Sequence, residues 1–229
     1  MVRTHFYESL DRLQADVVRM GELALSQAEQ VVGLGLEGRS DLLSAVEAEA
    51  RSIRGLRVDV EARAITLFAT QSPVAGGLRR LSAIFKVASD FESIAESLLQ
   101  VARVAAGRKP RPQSLEPLRA FASRLLEMLS HTVRFCETGE PSHAQKVRQL
   151  SPASEAVEEL ESALVSSIKS AEDAPERMPV LRLIPEVERV MDQCLKIIER
   201  VEYALSGQEA TASSPPASQS TDPLARSYP

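Results

Sequence analysis

The sequence lacks tryptophan altogether, and Phe and Tyr bring the aromatic share to only 4%. A core built from it must be aliphatic, made of Leu, Val, Ala and Ile. Only two cysteines occur, Cys136 and Cys194, with no Cys or His at metal-ligand spacing beside either. That excludes a disulfide framework and a zinc-finger type site, and leaves both thiols as small apolar core residues of a reducing compartment. No stretch approaches the roughly 18 uncharged apolar residues of a membrane-spanning helix. The opening segment "MVRTHFYESLDRLQADVV" carries charges throughout, so it does not read as a signal peptide. An excess of positive charge is missing too. The formal net charge is −5, and the one short basic stretch, "GRKPRP" at 107–112, reads as a solvated linker, which argues against a nucleic-acid partner.

The machinery of catalysis is equally sparse. Of the three histidines, His5, His131 and His143, none has an acid, Ser or Cys at a telling spacing. "VAGGLRR" has two Gly followed by Leu, without the Gly-Lys-Ser/Thr that grips a nucleotide. The chain is therefore expected not to be an enzyme. Alternation of Val, Ile, Thr and Tyr bounded by hairpin turns is nowhere found, which leaves an all-α fold.

What is present is helical period. Apolar residues recur at steps of three and four from about Phe6 to Leu36, where "GLGLEGRSD" (33–41) interrupts them with three Gly and Ser40 or Asp41 offers a new N-cap. A second pattern runs from Leu42 to about Ala69 and stops at "TQSPVAGG" (70–77), a chain reversal. A third runs from Leu78 to about Ala106 and ends at "GRKPRPQS". The scheme then restarts. A fourth segment spans "SLEPLRAFASRLLEMLSHTVRFC", and a fifth runs from about Ser142 to Ala171, with Pro152 either kinking it or opening a new helix capped by Ser151. After "EDAPERMP", the sixth continues from "PEVERVMDQCLKIIERV" to about Leu205. From 208 onward the Ser/Thr/Pro/Ala-rich tail has no apolar period and is expected to be disordered.

Six segments with a linker in the middle suggest duplication. "DFESIAESLLQVARVA" (90–105) matches "EVERVMDQCLKIIERV" (186–201): Glu92 pairs with Glu188 and Glu96 with Asp192, both 96 residues apart, and the apolar neighbours coincide. Each third helix thus carries two acids one turn apart beside its apolar stripe. The organisation expected is a three-helix bundle over 1–107, a second over 108–207 and the tail 208–229, the bundles related by a pseudo-twofold axis. Helices of about 30 residues would be about 45 Å long, and short turns make neighbours antiparallel.

These residues resemble the PhoU family, regulators of bacterial phosphate uptake. "SPVAGGLRRLSAIFKVASDFESIAESL" (72–98) is similar to the family segment in which Pro-x-Ala-x-Asp-Leu-Arg leads into Glu-Arg-Ile-Gly-Asp. "EVERVMDQC" (186–194) resembles the second Glu-Arg-Ile-Gly-Asp, and "HFYESLDRLQADVVRMGELA" the family's first helix with its Met-Gly. The resemblance covers about residues 3–207. It departs from the pattern at Gly77, where the family has Asp, and at Glu92-Ser93-Ile94-Ala95-Glu96, which has lost the Arg.

The resemblance implies metal ligands, a divalent or ferric ion held on the bundle surface, and the candidates are Glu92, Glu96, Glu188 and Asp192. Such ions need several oxygens, and a Glu-x-x-x-Asp pair supplies two. Positions that would complete the first cluster fall near Ala50 and Arg57, and Arg57 would put a cation where a ligand belongs. The plainer reading, charged shoulders of core helices, takes precedence at both pairs, and no cofactor is assigned. The resemblance further implies a cytoplasmic regulator of phosphate uptake and phosphate-starvation signalling, peripheral to the membrane through docking. Its partners would be the phosphate transporter's ATP-binding subunit and a sensor histidine kinase, and it would be a homodimer. Arg79, Arg80 and Arg189 are the candidate partner-binding cations. Two alternatives stay open: a metal-binding helical protein, and a PhoU-like paralogue serving another transporter.

Overall fold

The computed structural model describes residues 2–71, 75–106, 116–151, 157–158, 162, 165–166 and 181–206, and these contain helices and no strand. The expected linker at 107–114, the residue Pro152, the break at 172–179 and the tail 208–229 lie outside the described residues. Among the described residues the helices with defined bounds are α1 Val2–Glu37, α2 Leu43–Gln71, α3 Ala75–Ala106, α4 Glu116–Thr138, α5 Pro141–Leu150 and α6 Ile184–Ser206. They form two triplets, α1–α3 and α4–α6. The chain is all-α, with the two triplets arranged as tandem three-helix bundles in pseudo-twofold relation.

The boundaries have local causes. α1 runs through Gly33 and Gly35 and ends at Glu37 because Gly38 takes a left-handed φ of 73°, the conformation that stops a helix without penalty only at glycine. A short 3-10 turn, Ser40–Leu42, then leads into α2. Gly139, at φ 69°, turns the chain between α4 and α5, and its N–H donates to Phe135 O at 2.9 Å. α5 stops at Leu150 because Ser151 is extended (φ −60°, ψ 125°), as the residue before a proline prefers. Of the two expectations for Pro152, a kink in one helix or the opening of a new one, the end of α5 at Leu150 agrees with the second. Gly76 and Gly77, expected in the chain reversal, lie inside the first turn of α3. Gly77 is there for space: a Cβ would stand 2.7 Å from Phe6 Cε1.

The apolar core is one body. A single cluster runs from Phe6 and Leu10 on α1, through Phe91 and Leu98 on α3, to Met128 and Phe135 on α4 and Ile197 on α6. α3 and α6 make the broadest helix contact, and α1 packs on α4, so the triplets meet along a shared interior. Two buried polar groups tie it together. Gln27, fully buried on α1, donates from Nε2 to Val46 O of α2 and Ala95 O of α3, each at 3.2 Å. Gln14 of α1 donates to Cys136 O of α4 at 2.8 Å. Both use side-chain amides to satisfy backbone carbonyls where the helices press together.

Gly21 marks the tightest point. A Cβ at that position would lie 2.8 Å from Phe91 Cζ and 2.9 Å from Val133 Cγ2, so α1 meets α3 and α4 there with no room for a methyl. Overpacking costs about 1–3 kcal/mol, against roughly 1 kcal/mol of helix propensity gained on replacing Gly by Ala. Gly21→Ala should lower the unfolding free energy, by up to about 2 kcal/mol, in urea melts. An unchanged or raised value would show that the three helices part there at no cost.

Candidate functional site

The two acid pairs sit on equivalent shoulders of α3 and α6 but in different company. In the first triplet, α2 presents two arginines to α3. Arg54 Nε lies 3.2 Å from Glu92 Oε1, and Arg54 Nη2 lies 2.6 Å from Glu96 Oε1. Arg57 Nε lies 2.8 Å from the other oxygen of Glu92, while its Nη1 also meets Glu61 one turn along. Hydrogen bonds to Glu96 and then Glu92 hold the Arg54 guanidinium above its usual range. Glu92 is thus gripped from two sides and four-fifths covered, while Glu96 stays half exposed.

That arrangement does not suit a metal ion. The oxygens a cation would need are already neutralised, and the positions where further ligands would stand carry positive charge. The sequence pointed to Arg57 as an intruding cation. Arg54, which spans both acids, was the residue it missed, although its position three before Arg57 puts both on one face of α2.

In the second triplet, Glu188 and Asp192 line an open cleft of ≈ 450 Å³ beside α6, together with Arg189, Lys196 and Ser151. Arg189 stays exposed, its Nη1 3.7 Å from Glu186 Oε2. Two carboxylates with a lysine and an arginine in the same wall again fall short of a cation site. Among the described residues no group of three His, Cys, Asp or Glu side chains converges to hold one.

The residue two before each acid pair is also equivalent: Asp90 before Glu92, Glu186 before Glu188. Both reach across to the other triplet. Asp90 of α3 pairs with Arg200 Nη1 of α6, which also donates to Lys86 O at 3.0 Å. Glu186 of α6 accepts a hydrogen bond from Ser97 Oγ of α3 at 2.8 Å. Asp90 is buried (6% exposed), and burial pushes its carboxyl up to about 6, against the pull of Arg200, Lys196 and Lys86. The 96-residue repeat carries this third acidic position as well, Asp90 with Glu186.

The remaining candidates lie at the opening end of α3. Arg80 Nη2 lies 2.7 Å from Asp11 Oδ1 on α1. Arg79 is half-buried, and its Nε is buried with no hydrogen bond. Tyr7 and Leu78 emerge at this same end, 50% and 42% exposed. The two cysteines are buried and free, and burial pushes both thiols up to about 12, so neither is a nucleophile. The histidines do meet across the α4–α5 turn, His131 Nδ1 to His143 Nδ1 at 2.8 Å, a hydrogen bond in which one ring donates and the other accepts. Burial, then the neighbouring ring, pushes His131 down. Glu140 Oε2 lies 3.9 Å from His143 Nε2, beyond hydrogen-bond reach.

With this geometry in place, the likeness to known proteins can be read. The PhoU domain family matches residues 17–105, which hold most of the first triplet. The first triplet of this chain is similar to a PhoU domain. Beyond that match, the chain is 25% identical over 213 residues to the phosphate-specific transport system accessory protein PhoU homolog of Synechocystis sp., spanning 90% of this chain and 93% of that one. It is 26% identical over 176 residues to the Deinococcus radiodurans protein described in the same words, spanning 75% and 83%. The crystal structure of PhoU from Pseudomonas aeruginosa superposes with a TM-score of 0.79 at 22% identity, over 89% of this chain and 100% of that one. That of the phosphate transport system regulatory protein PhoU from Streptococcus pneumoniae gives 0.76 at 20% identity. Both structural likenesses are of fold.

Two outcomes follow for the acids of this chain. Elemental analysis of freshly purified protein should find well under one transition-metal ion per chain, and two or more would overturn the reading of both pairs. The second concerns Asp90. Its folded pKa stands above the ordinary 3.8, so the native state binds the proton more tightly and gains stability at low pH. That gain is lost as pH rises through about 6. The unfolding free energy of wild type relative to Asp90→Asn should therefore fall by on the order of 1–3 kcal/mol between pH 4 and pH 7. A flat difference would show that Asp90 keeps an ordinary carboxyl.

Proposed function

We propose that this protein is a non-enzymatic, cytoplasmic regulator of phosphate uptake and phosphate-starvation signalling that works by docking. Its partners on this reading are the ATP-binding subunit of a phosphate transporter and a sensor histidine kinase. Docking makes it peripheral to the membrane, and it acts as a homodimer in which the repeats 1–107 and 108–207 move as one unit. What supports the reading is the near full-length likeness to proteins named as phosphate-transport accessories. The geometry adds to it, since the first acid pair is bound up in salt bridges rather than open to an ion.

Among the described residues no helix is long and apolar enough to cross a membrane, which fits attachment through a partner. The docking contact is placed at the opening turn of α3. Arg79 offers a half-buried guanidinium, and Tyr7 and Leu78 supply apolar area at the same end. A fork of this kind suits a carboxylate on a partner surface. Arg80, already paired with Asp11, and Arg189, paired loosely with Glu186, play supporting parts.

A second reading rests on the α6 cleft, where Glu188 and Asp192 could take an ion with help from a partner. A third, service to another transporter, rests on the altered motif at Gly77 and Glu92–Glu96. Co-transcribed phosphate-transporter and two-component genes would speak against that third case.

The test is capture of the transporter ATPase by the full chain. Arg79→Glu should weaken capture at least roughly tenfold, as expected when a paired cation at an interface is reversed. Unchanged capture would remove Arg79 from the contact. Deleting the gene should switch on high-affinity phosphate uptake in phosphate-rich medium, and silence there would count against phosphate control itself.

A further inference from the structure

α2 has two apolar faces. One, Val46, Ile53, Val60, Ala64 and Leu67, is buried in the first triplet. The other lies on the opposite side of the helix and is exposed along its whole length: Ala48, Gly55, Val58, Ala62, Ile65 and Ala69. From Gly55 its steps alternate three and four, the spacing of a coiled-coil seam. A small residue recurs every seventh position, and the β-branched Val58 and Ile65 between them are 49% and 56% exposed. Gly55 adds a separate sign. A Cβ there would meet nothing within 4 Å, so nothing inside the chain requires glycine in the middle of this helix. Glycine costs a helix stability, and its use is to let another backbone come close.

We infer that this outer face of α2 is an interaction surface, and that its occupant is the same face of a second copy of this chain, packed antiparallel. The inference rests on the dimer reading above and gives that dimer a surface. The arrangement follows from the sequence of the seam. With the two-fold axis between Leu56 and Arg57, Gly55 meets the second copy's Val58, and Ala48 meets its Ile65, small against large each time. Arg51 meets Ala62, over which its stem can lie while the guanidinium reaches water. In this register the flanking charges are complementary, since Arg54 faces the second copy's Glu61 and the reverse. Shifting by one layer puts Glu61 against Glu61 and Asp59 against Asp59. A parallel pairing stacks Arg51 on Arg51. Charge therefore selects one packing of the three.

The experiment is analytical ultracentrifugation of the full chain at tens of micromolar, with disulfide trapping. Wild type should sediment as a dimer. Ala62→Lys, an exposed change between two good helix formers, should leave the circular dichroism intact and raise the dimer Kd at least roughly tenfold by setting a cation against the second copy's Arg51. The double variant Ala48→Cys with Ile65→Cys should form a covalent dimer on oxidation. The two positions are about 25 Å apart along one helix, so the bond cannot close within a chain. Gly55→Cys with Ile65→Cys, the pairing of the shifted register, should not cross-link. A wild-type monomer would overturn both the surface and the dimer. A dimer that survives Ala62→Lys and fails to cross-link through 48 and 65 would overturn the surface while the dimer reading stood. Neither outcome bears on phosphate control, which the uptake assay decides separately.

Discussion

The fold depends on the antiparallel contact between α3 and α6. As the α3 partner moves from Asp90 to Ser97, the α6 partner moves back from Arg200 to Glu186. A helix and its duplicate, set against each other in opposite directions, give every apolar position a counterpart. That is why the core runs unbroken from Phe6 to Ile198 instead of dividing at the linker. The polar contacts at the edges of this seam set its register. Apolar surface alone would let two similar helices slide by a turn at little cost, whereas Asp90 has one guanidinium within reach and Glu186 one hydroxyl.

The same duplication explains how equivalent acids come to differ. Position for position, Glu92 and Glu188 share a place beside the stripe, so the backbone does not decide their roles. The second helix of each triplet does. α2 is 29 residues long and brings Arg54 and Arg57 alongside α3. α5 is 10 residues long, and Glu188 and Asp192 line a cleft in company with Arg189 and Lys196. Salt bridges on a surface contribute little stability, so the clasp around Glu92 and Glu96 matters mainly for what it prevents, the gathering of free carboxylates around a cation.

Helical class, the six segments and the pairing of Glu92 with Glu188 were legible in the sequence because each rests on apolar period over many residues. The ends were less so. Gly33 and Gly35 read as a break, yet helix continues through them, because α1 buries Val31 and Leu34 and tertiary packing outweighs propensity. Gly77 read as part of a turn when it is a space left for the Phe6 ring. Arg54, Arg200 and Ser97 were invisible for a plainer reason. Their partners lie 38 to 110 residues away, and only packing shows which charged shoulders meet.

The outer seam of α2 escaped notice for the opposite reason, an excess of pattern. One apolar stripe was enough to place the helix, and the second was hidden inside the same letters. Topology makes it meaningful. α1 is covered by α2, α3 and α4, and α3 by α1, α2 and α6, whereas among the described residues α2 packs mainly on α1 and α3. A helix with two neighbours on one side needs a single buried face. Val58 and Ile65 on its far side, with Gly55 between Arg51 and Val58 where the fold makes no use of glycine, are residues that the chain's own packing does not account for. Single exposed aliphatics are ordinary on any surface, whereas a seam repeating at seven over three heptads is not. Arg54 stands where the two themes join. It holds the acids of α3 on one side and flanks the seam on the other, so whatever covers α2 also touches the charge balance at the first acid pair.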